Sequence, residues 1–371
     1  MPSLADTDAK MMGRALAEAR QGRPSPNPNV GAVIAREDQV IALGHHERAG
    51  GDHAEVAALK LAGDAAKGAT LYVTLEPCNH TGRTPPCVET IIKAGLKRVV
   101  IGMRDPNPHV QGGGLEMLQA AGIEVEVGVR QAEARVVMEG WIKYITTGLP
   151  YLKLKIAVSL DGRIAARTGA SKWVTGTEAR QKVHELRAAC DGVMVGVGTV
   201  VADDPQLTVR DVPGPSPIRI AIDSKLRTAP STILAMTANE VPTWVLTTPE
   251  APEAAERALQ ALGVEVIRVQ RTGEGRVDVT AGLRALSQRG IVKLLIEGGA
   301  ELTGSILAAR LADELHVFIG PLLLGPRGRP GAVDWAGPST PAEAPRIVEP
   351  KWELCGRDAY VHGALGYPTS R

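Results

Sequence analysis

Apolar residues recur at helical spacing over residues 8–20, with Met11, Met12, Leu16 and Ala19 three and four apart, before Gly22 and a proline-rich segment end the pattern. An amphipathic packing helix is predicted there. Two short apolar runs, 30–35 and 40–44, flank the polar Arg36-Glu37-Asp38-Gln39 and predict a hairpin. Over 53–60 the periodicity is helical again, which places His53 and Glu55 in a first turn. Residues 70–75 form a β-rich run that delivers Glu76-Pro77-Cys78, and 86–94 predicts a helix opening near Cys87. Strand 96–102, helix 115–121 and strand 123–128 then alternate, the rhythm of an α/β layered sheet. A helix over 131–144 closes this half, and Thr147-Gly148-Leu149-Pro150 breaks the chain.

After Pro150 the pattern restarts. Lys153 and Lys155 alternate with apolar residues, predicting a strand with one polar face that ends in the turn Ser159-Leu160-Asp161-Gly162. Helix 178–189 and apolar run 192–195 follow, then strand 218–222 and the alternating segments 243–246, 250–262, 264–269 and 279–287. Strand 292–296 leads through Glu297-Gly298-Gly299 into a helix over 302–310, and late strands are expected at 315–319, 352–355 and 359–362. Residues 325–345, rich in Gly and Pro, predict a long loop that is mobile or at an interface. Two domains are expected, 1–146 and 150–371.

A chain of 371 residues is long enough for two such domains, each with its own core. Aromatic residues make up only 3%, so Val, Leu, Ile and Ala must fill those cores and few stacking platforms exist. A net charge of +1 with mixed signs gives no footprint for a long polyanion, which disfavours nucleic acid and leaves a small substrate. No run of about 18 apolar residues is present and no basic-then-apolar leader opens the chain, so a cytoplasmic protein without a membrane partner is expected. Four cysteines are too sparse for a disulfide framework, and Cys190 and Cys355 read as buried thiols.

Candidate chemistry gathers at His53-Ala54-Glu55, Glu76-Pro77-Cys78 and Cys87. One imidazole and two thiolates leave a fourth tetrahedral position open on zinc, and a carboxylate two residues from the histidine can move protons. The pattern H-x-E with P-C-x-x-C is a signature of zinc deaminases, although here the second cysteine comes late, after Asn79-His80-Thr81-Gly82-Arg83-Thr84-Pro85-Pro86. A closed structural zinc with His80 or His46 as fourth ligand is the competing reading, and it has no use for Glu55. Asn27 and Asn29 stand between prolines as turn residues or as amides for a pyrimidine edge, and Asp105-Pro106-Asn107-Pro108 reads as a turn. In the second half, Gly298-Gly299 lets backbone N–H groups approach a phosphate or merely joins strand to helix, and no G-x-G-x-x-G accompanies it.

These motifs resemble the deaminase half of the bifunctional riboflavin-biosynthesis enzymes, whose pattern is H-A-E followed by E-P-C-x-H-x-G-x-T-P-P-C. The resemblance extends to Pro26-Asn27-Pro28-Asn29-Val30-Gly31 and Gly44-His45-His46-Glu47-Arg48-Ala49-Gly50. The strand from Tyr151, together with Ser171-Lys172-Trp173-Val174-Thr175-Gly176, the segment 195–210 and Glu297-Gly298-Gly299-Ala300-Glu301-Leu302, resembles the riboflavin-type reductases, which are similar in fold to dihydrofolate reductase. It implies a cytidine-deaminase-like three-layer α/β/α domain followed by a dihydrofolate-reductase-like α/β domain. It also implies zinc on His53, Cys78 and Cys87, Glu55 as proton shuttle, and a place near the active site for Asn107.

In the reductase half the resemblance implies that Ala157, Trp173, Thr199, Asp203, Ser224, Gly299, Ala300, Glu301, Leu302, Thr303, Gly304 and Ser305 contact NADPH. Ser171, Arg187, Leu207, Arg210 and Glu297 would contact a pyrimidine ribose phosphate, the arginines through their bidentate forks. A homo-oligomer, dimer or tetramer, is expected. The implied activity is deamination of 2,5-diamino-6-ribosylamino-4(3H)-pyrimidinone 5′-phosphate and then reduction of its ribosyl group to ribityl. The rival is a nucleoside or RNA base deaminase carrying a non-catalytic second domain, which needs the basic surface or stacking aromatics that this composition lacks.

Overall fold

The computed structural model describes residues 3–79, 85–108, 113–327 and 331–368, and the chain divides into two compact units, Met1–Leu149 and Pro150–Arg371. In the first unit the order is α1 (Leu4–Ala19), β1 (Gly31–Arg36), β2 (Gln39–His45), α2 (Ala54–Ala62), β3 (Thr70–Leu75) and α3 (Cys87–Lys93). Then come β4 (Arg98–Met103), α4 (Gly114–Ala120), β5 (Glu124–Val127), α5 (Gln131–Val137) and α6 (Glu139–Thr147). The helix expected from residue 8 begins at Leu4, because Ser3 and Asp6 form a reciprocal capping box. The single helix expected over 131–144 is two, separated at the buried Met138.

The five strands pair in the order β2-β1-β3-β4-β5, antiparallel up to β3 and parallel beyond it. Gly31 pairs with His45, so Gly31 and Gly44 point to opposite faces. A Cβ on Gly31 would strike the Ala15 carbonyl of α1, and one on Gly44 would strike the Ala54 carbonyl of α2. The two helices therefore cover opposite faces, which makes three layers and explains why β1, β3 and β4 are buried almost throughout.

The second unit opens with β6 (Tyr151–Ser159), α7 (Thr177–Ala188), β7 (Gly192–Gly196), α8 (Val197–Asp203), β8 (Ile218–Ile222) and α9 (Ile233–Met236). Next are β9 (Thr243–Thr247), α10 (Glu253–Gln260), β10 (Glu265–Arg268), α11 (Val279–Gln288), β11 (Lys293–Ile296) and α12 (Ala300–Ala308). The last strands are β12 (Glu314–Gly320), β13 (Arg346–Ile347), β14 (Lys351–Cys355) and β15 (Asp358–Gly366). The sheet runs β10-β9-β8-β7-β11-β6-β12-β15, parallel to β12, and the antiparallel β15 carries both β13 and β14.

Phe318, Tyr360, Val193 and Val195 build the core with Ala179, Val183 and Leu186 of α7. Within the expected 325–345 loop the described part is docked rather than loose: Asp334 donates its N–H to the Ala300 carbonyl at 3.0 Å, and a Cβ on Gly304 would strike the Asp334 carbonyl. A short 3₁₀ turn, Pro341–Glu343, interrupts it.

Candidate active sites

The three sulfur and nitrogen donors of the first unit come from two helix starts and one strand end. His53 is the N-cap of α2, Cys87 is the first residue of α3, and Cys78 lies just beyond β3. The two helices pack together, so their N-termini converge. His53 Nδ1 is 3.1 Å from Cys87 Sγ and 3.5 Å from Cys78 Sγ, and all three donor atoms lie within 4.8 Å of one another. Tetrahedral zinc with bonds of about 2.0–2.3 Å separates its donors by about 3.5 Å, so the set fits the ion. A hydrogen bond from Cys87 holds the Cys78 thiol below its ordinary value, which favours its thiolate.

Glu55 sits in the first turn of α2, buried, and lines a cavity of about 430 Å³ together with His53 and Cys78. Burial pushes its carboxyl up to about 7, the range in which a group can both take and return a proton. His46 is not among the clustered donors. Its Nδ1 is 2.8 Å from the Asp52 carbonyl and its Nε2 is 3.0 Å from Asn27 Nδ2, so it orients that amide on the cavity wall. His80 lies outside the described residues. Asn29 turns away, donating to the Ala19 and Gly22 carbonyls, whereas Asn27 and Asn107 reach the cavity. Glu76 and Asp105, from the E-P-C motif and the Asp105–Pro108 turn, also line it, as do Trp141 and Tyr144 of α6, which no sequence motif marked.

In the second unit a cavity of about 840 Å³ runs along the C-terminal ends of β7, β8 and β11. Thr199, Asp203, Ser224, Gly299, Ala300, Glu301, Leu302 and Ser305 line it. Thr303 and Gly304 are buried in α12 behind that wall, and Ala157 packs against the core. Trp173 is exposed, with the Arg180 guanidinium 4.3 Å from its ring centre. Gly299 caps the N-terminus of α12, and Lys225, Arg227 and Arg276 also line the cavity. A helix start with Lys225 and Arg227 on the same elongated wall can take the phosphates of a dinucleotide, while Arg276 is ion-paired to Glu301.

The residues expected at the substrate divide. Ser171 is in the cofactor cavity, donating its hydroxyl to Asp203 Oδ1 at 2.9 Å. Arg187 and Glu297 form a separate buried pair, with Nε to Oε1 at 2.5 Å and a second nitrogen to Oε2 at 3.0 Å. Burial alone would raise the Glu297 carboxyl, but Arg187 and Lys155 beside it carry it below its ordinary value. Arg210 reaches Gln206 and, at 3.1 Å, the Thr208 hydroxyl, while Arg187 also donates to the Thr208 carbonyl at 2.9 Å. Leu207 is buried in the core with φ of 53°. The sequence reading missed Lys155, whose Nζ is 3.8 Å from Glu297 Oε2 and whose buried ammonium is pushed below its usual range by desolvation. Its one signal was a lysine alternating with apolar residues in a central strand.

These two sites define a class: a zinc-type deaminase unit joined in one chain to a nucleotide-binding oxidoreductase unit. Residues 5–103 match the cytidine and deoxycytidylate deaminase zinc-binding region, and residues 150–361 match the RibD C-terminal domain. Riboflavin biosynthesis protein RibD of Aquifex aeolicus is 46% identical over 86% of this chain and 88% of its own. That of Escherichia coli is 41% identical over 96% and 98%. Among solved structures, Acinetobacter baumannii RibD superposes with a TM-score of 0.86 at 37% identity, covering 98% of this chain and all of the other. A Thermotoga maritima diaminohydroxyphosphoribosylaminopyrimidine deaminase/5-amino-6-(5-phosphoribosylamino)uracil reductase does so at 0.85 and 36%, covering 99% of this chain and 100% of that one. The chain belongs to the RibD family of bifunctional riboflavin-biosynthesis deaminase-reductases, with the zinc and NADPH dependence and the deaminase-like and reductase-like folds expected of it.

Proposed function

We propose that each activity of this bifunctional enzyme is carried by the residues gathered in its two cavities, acting in turn on one pyrimidine ribose phosphate. The observation that carries the reading is the convergence of His53, Cys78 and Cys87 at a cavity where the buried Glu55 is the adjoining carboxylate. Zinc bound by those three supplies Lewis acidity that lowers the pKa of a water to about 7. Glu55 takes the proton of the attacking water and returns it to the ring amine, which leaves as ammonia while the ring carbon becomes a carbonyl. Asn27, oriented by His46, is placed to bond the heterocycle's edge, and Asn107 shares that wall.

In the second unit, bound NADPH supplies the hydride that converts ribosyl to ribityl. Thr199, Asp203, Ser224 and the α12 start from Gly299 to Ser305 hold the cofactor, with Thr303 and Gly304 supporting that wall from behind. Lys225 and Arg227 face its phosphates. Ala157 and Trp173 flank the nicotinamide end in this proposal. Ser171, Arg187, Leu207, Arg210 and Glu297 hold the substrate, with the Arg187–Glu297 pair fixing each other's orientation and Lys155 beside them.

The domains of the proposal are residues 1–146 and 150–371. A homo-oligomer, dimer or tetramer, is supported by Trp352 and Leu354, which stand exposed two residues apart on β14. Cytoplasmic residence is supported by four free cysteines, and no helix among the described residues is long and apolar enough to cross a membrane. The test is to incubate the purified chain with the diaminopyrimidine phosphate, with and without NADPH, and to follow ammonia and NADPH absorbance together. Ammonia is expected in both, and NADPH oxidation only after ammonia has appeared. Oxidation without ammonia would reject the order.

A further inference from the structure

Among the described residues a second group of metal-ligating side chains lies outside both cavities, on the face of the second unit's sheet that also carries Phe318 and Tyr360: Glu314 and His316 of β12 with His362 of β15. His316 and His362 are directly paired across the strands, and Glu314 is two residues from His316, so the pleat points all three to one face. One donor atom from each lies within 4.8 Å of the others. His316 Nε2 is 3.2 Å from Glu314 Oε1, about the separation that two bonds of about 2.1 Å impose in a tetrahedral shell.

His316 supplies the second observation. Its ring is buried, and Nε2 makes no aligned hydrogen bond although it faces Glu314 Oε1 at ion-pair distance. A buried nitrogen that faces a carboxylate oxygen without an aligned bond is satisfied, together with that oxygen, by a cation shared between them. The opposite nitrogen, Nδ1, is 2.6 Å from the Tyr360 hydroxyl, the outer contact that fixes tautomer and ring orientation in metal-bound imidazoles. Lys153 approaches the same carboxylate, but at Oε2, 2.7 Å away, which leaves Oε1 for the shared position. Glu353 Oε1, 3.2 Å from His362 Nε2, adds a second negative charge and offsets the lysine.

We propose that Glu314, His316 and His362 form a second metal site, for an ion of the zinc class, clipping β15 to β12. Two imidazoles and a carboxylate select borderline transition ions over calcium or magnesium, which take oxygen shells. The test uses the full chain, stripped by chelator and dialysed against buffered zinc, with metal counted by mass spectrometry. Two ions per chain are expected in wild type and one in the Cys78→Ser/Cys87→Ser double variant. His362→Gln is expected to hold one ion and to release ammonia at the wild-type rate. Cobalt in the double variant is expected to show visible bands without thiolate charge transfer. A wild type saturating at one ion overturns the proposal, as does His362→Gln still holding two. Should His362→Gln fail to fold, the absence of cobalt bands in the double variant overturns it.

Discussion

A buried carboxyl group has one advantage over a solvated one: it can hold a proton at neutral pH and still give it up. Glu55 is in that state, raised to about 7 by burial at the first turn of α2. Glu55→Gln keeps shape and removes the titration, so ammonia release is expected to fall by about 10²–10⁴-fold with zinc content unchanged, measured by a coupled ammonia assay and metal analysis. An undiminished rate would remove the shuttle. Arg187→Lys addresses the other unit. A lysine cannot reproduce the two parallel bonds to Glu297, and charged hydrogen bonds of this kind are worth about 1.5–3 kcal/mol, so the KM for the pyrimidine phosphate in the reduction is expected to rise about 10- to 100-fold. NADPH affinity, read by fluorescence titration, should not move. His53, Glu55 and Cys78 were legible in sequence because they sit in short motifs. Lys155 and His316 were not, because what makes them notable is a neighbour more than a hundred positions away or an atom left without an aligned hydrogen bond, and neither is written in local spacing.

At the scale of elements, the first unit is tied together beneath its sheet by one buried charge cluster. Arg98 at the start of β4 donates two bonds to Asp8 of α1, at 2.7 and 2.9 Å, and one to Glu124 of β5 at 2.8 Å, while the Tyr72 hydroxyl of β3 donates to Asp8 at 3.0 Å. Asp8 and Arg98 are both buried, whereas the Glu124 side chain is 60% exposed. Asp8→Ala strands a buried guanidinium and is expected to cost about 3–5 kcal/mol, while Glu124→Ala at the wet end should cost less than about 1 kcal/mol. The denaturant midpoint at which ammonia-releasing activity is lost measures both, and equal midpoints for the two variants would show that the cluster carries no special weight. The parallel strands of both sheets were legible to within about two residues, since buried parallel strands are apolar runs bounded by turn residues, whereas β13 was not expected and β15 runs four residues past its expected end. The break at Met138 was not, because an apolar stripe continues across it and the nearby Gly140 lies inside α6 rather than at the break, so tertiary packing decides where one helix stops.

At the scale of the whole chain, the boundary is written in three residues. Gly148 ends α6 in the left-handed region with φ of 69°, which most other side chains resist, and Pro150 biases its predecessor away from helix, so the chain must leave α6 and start a new element. Contacts within Met1–Leu149 and within Pro150–Arg371 separate there. Among the described residues each unit has its own sheet and its own cavity, lined from within that unit. The two reactions should therefore survive division of the chain between Leu149 and Pro150. The first piece, expressed alone, is expected to release ammonia from the diaminopyrimidine phosphate without NADPH. The second should oxidise NADPH only when given the deaminated product, and a mixture should perform both steps in order. If the second piece folds, as judged by circular dichroism, and binds NADPH but reduces nothing unless covalently joined to the first, then the reductase site borrows a residue from the deaminase unit and the assignment of Arg187, Glu297 and Lys155 as its substrate contacts fails.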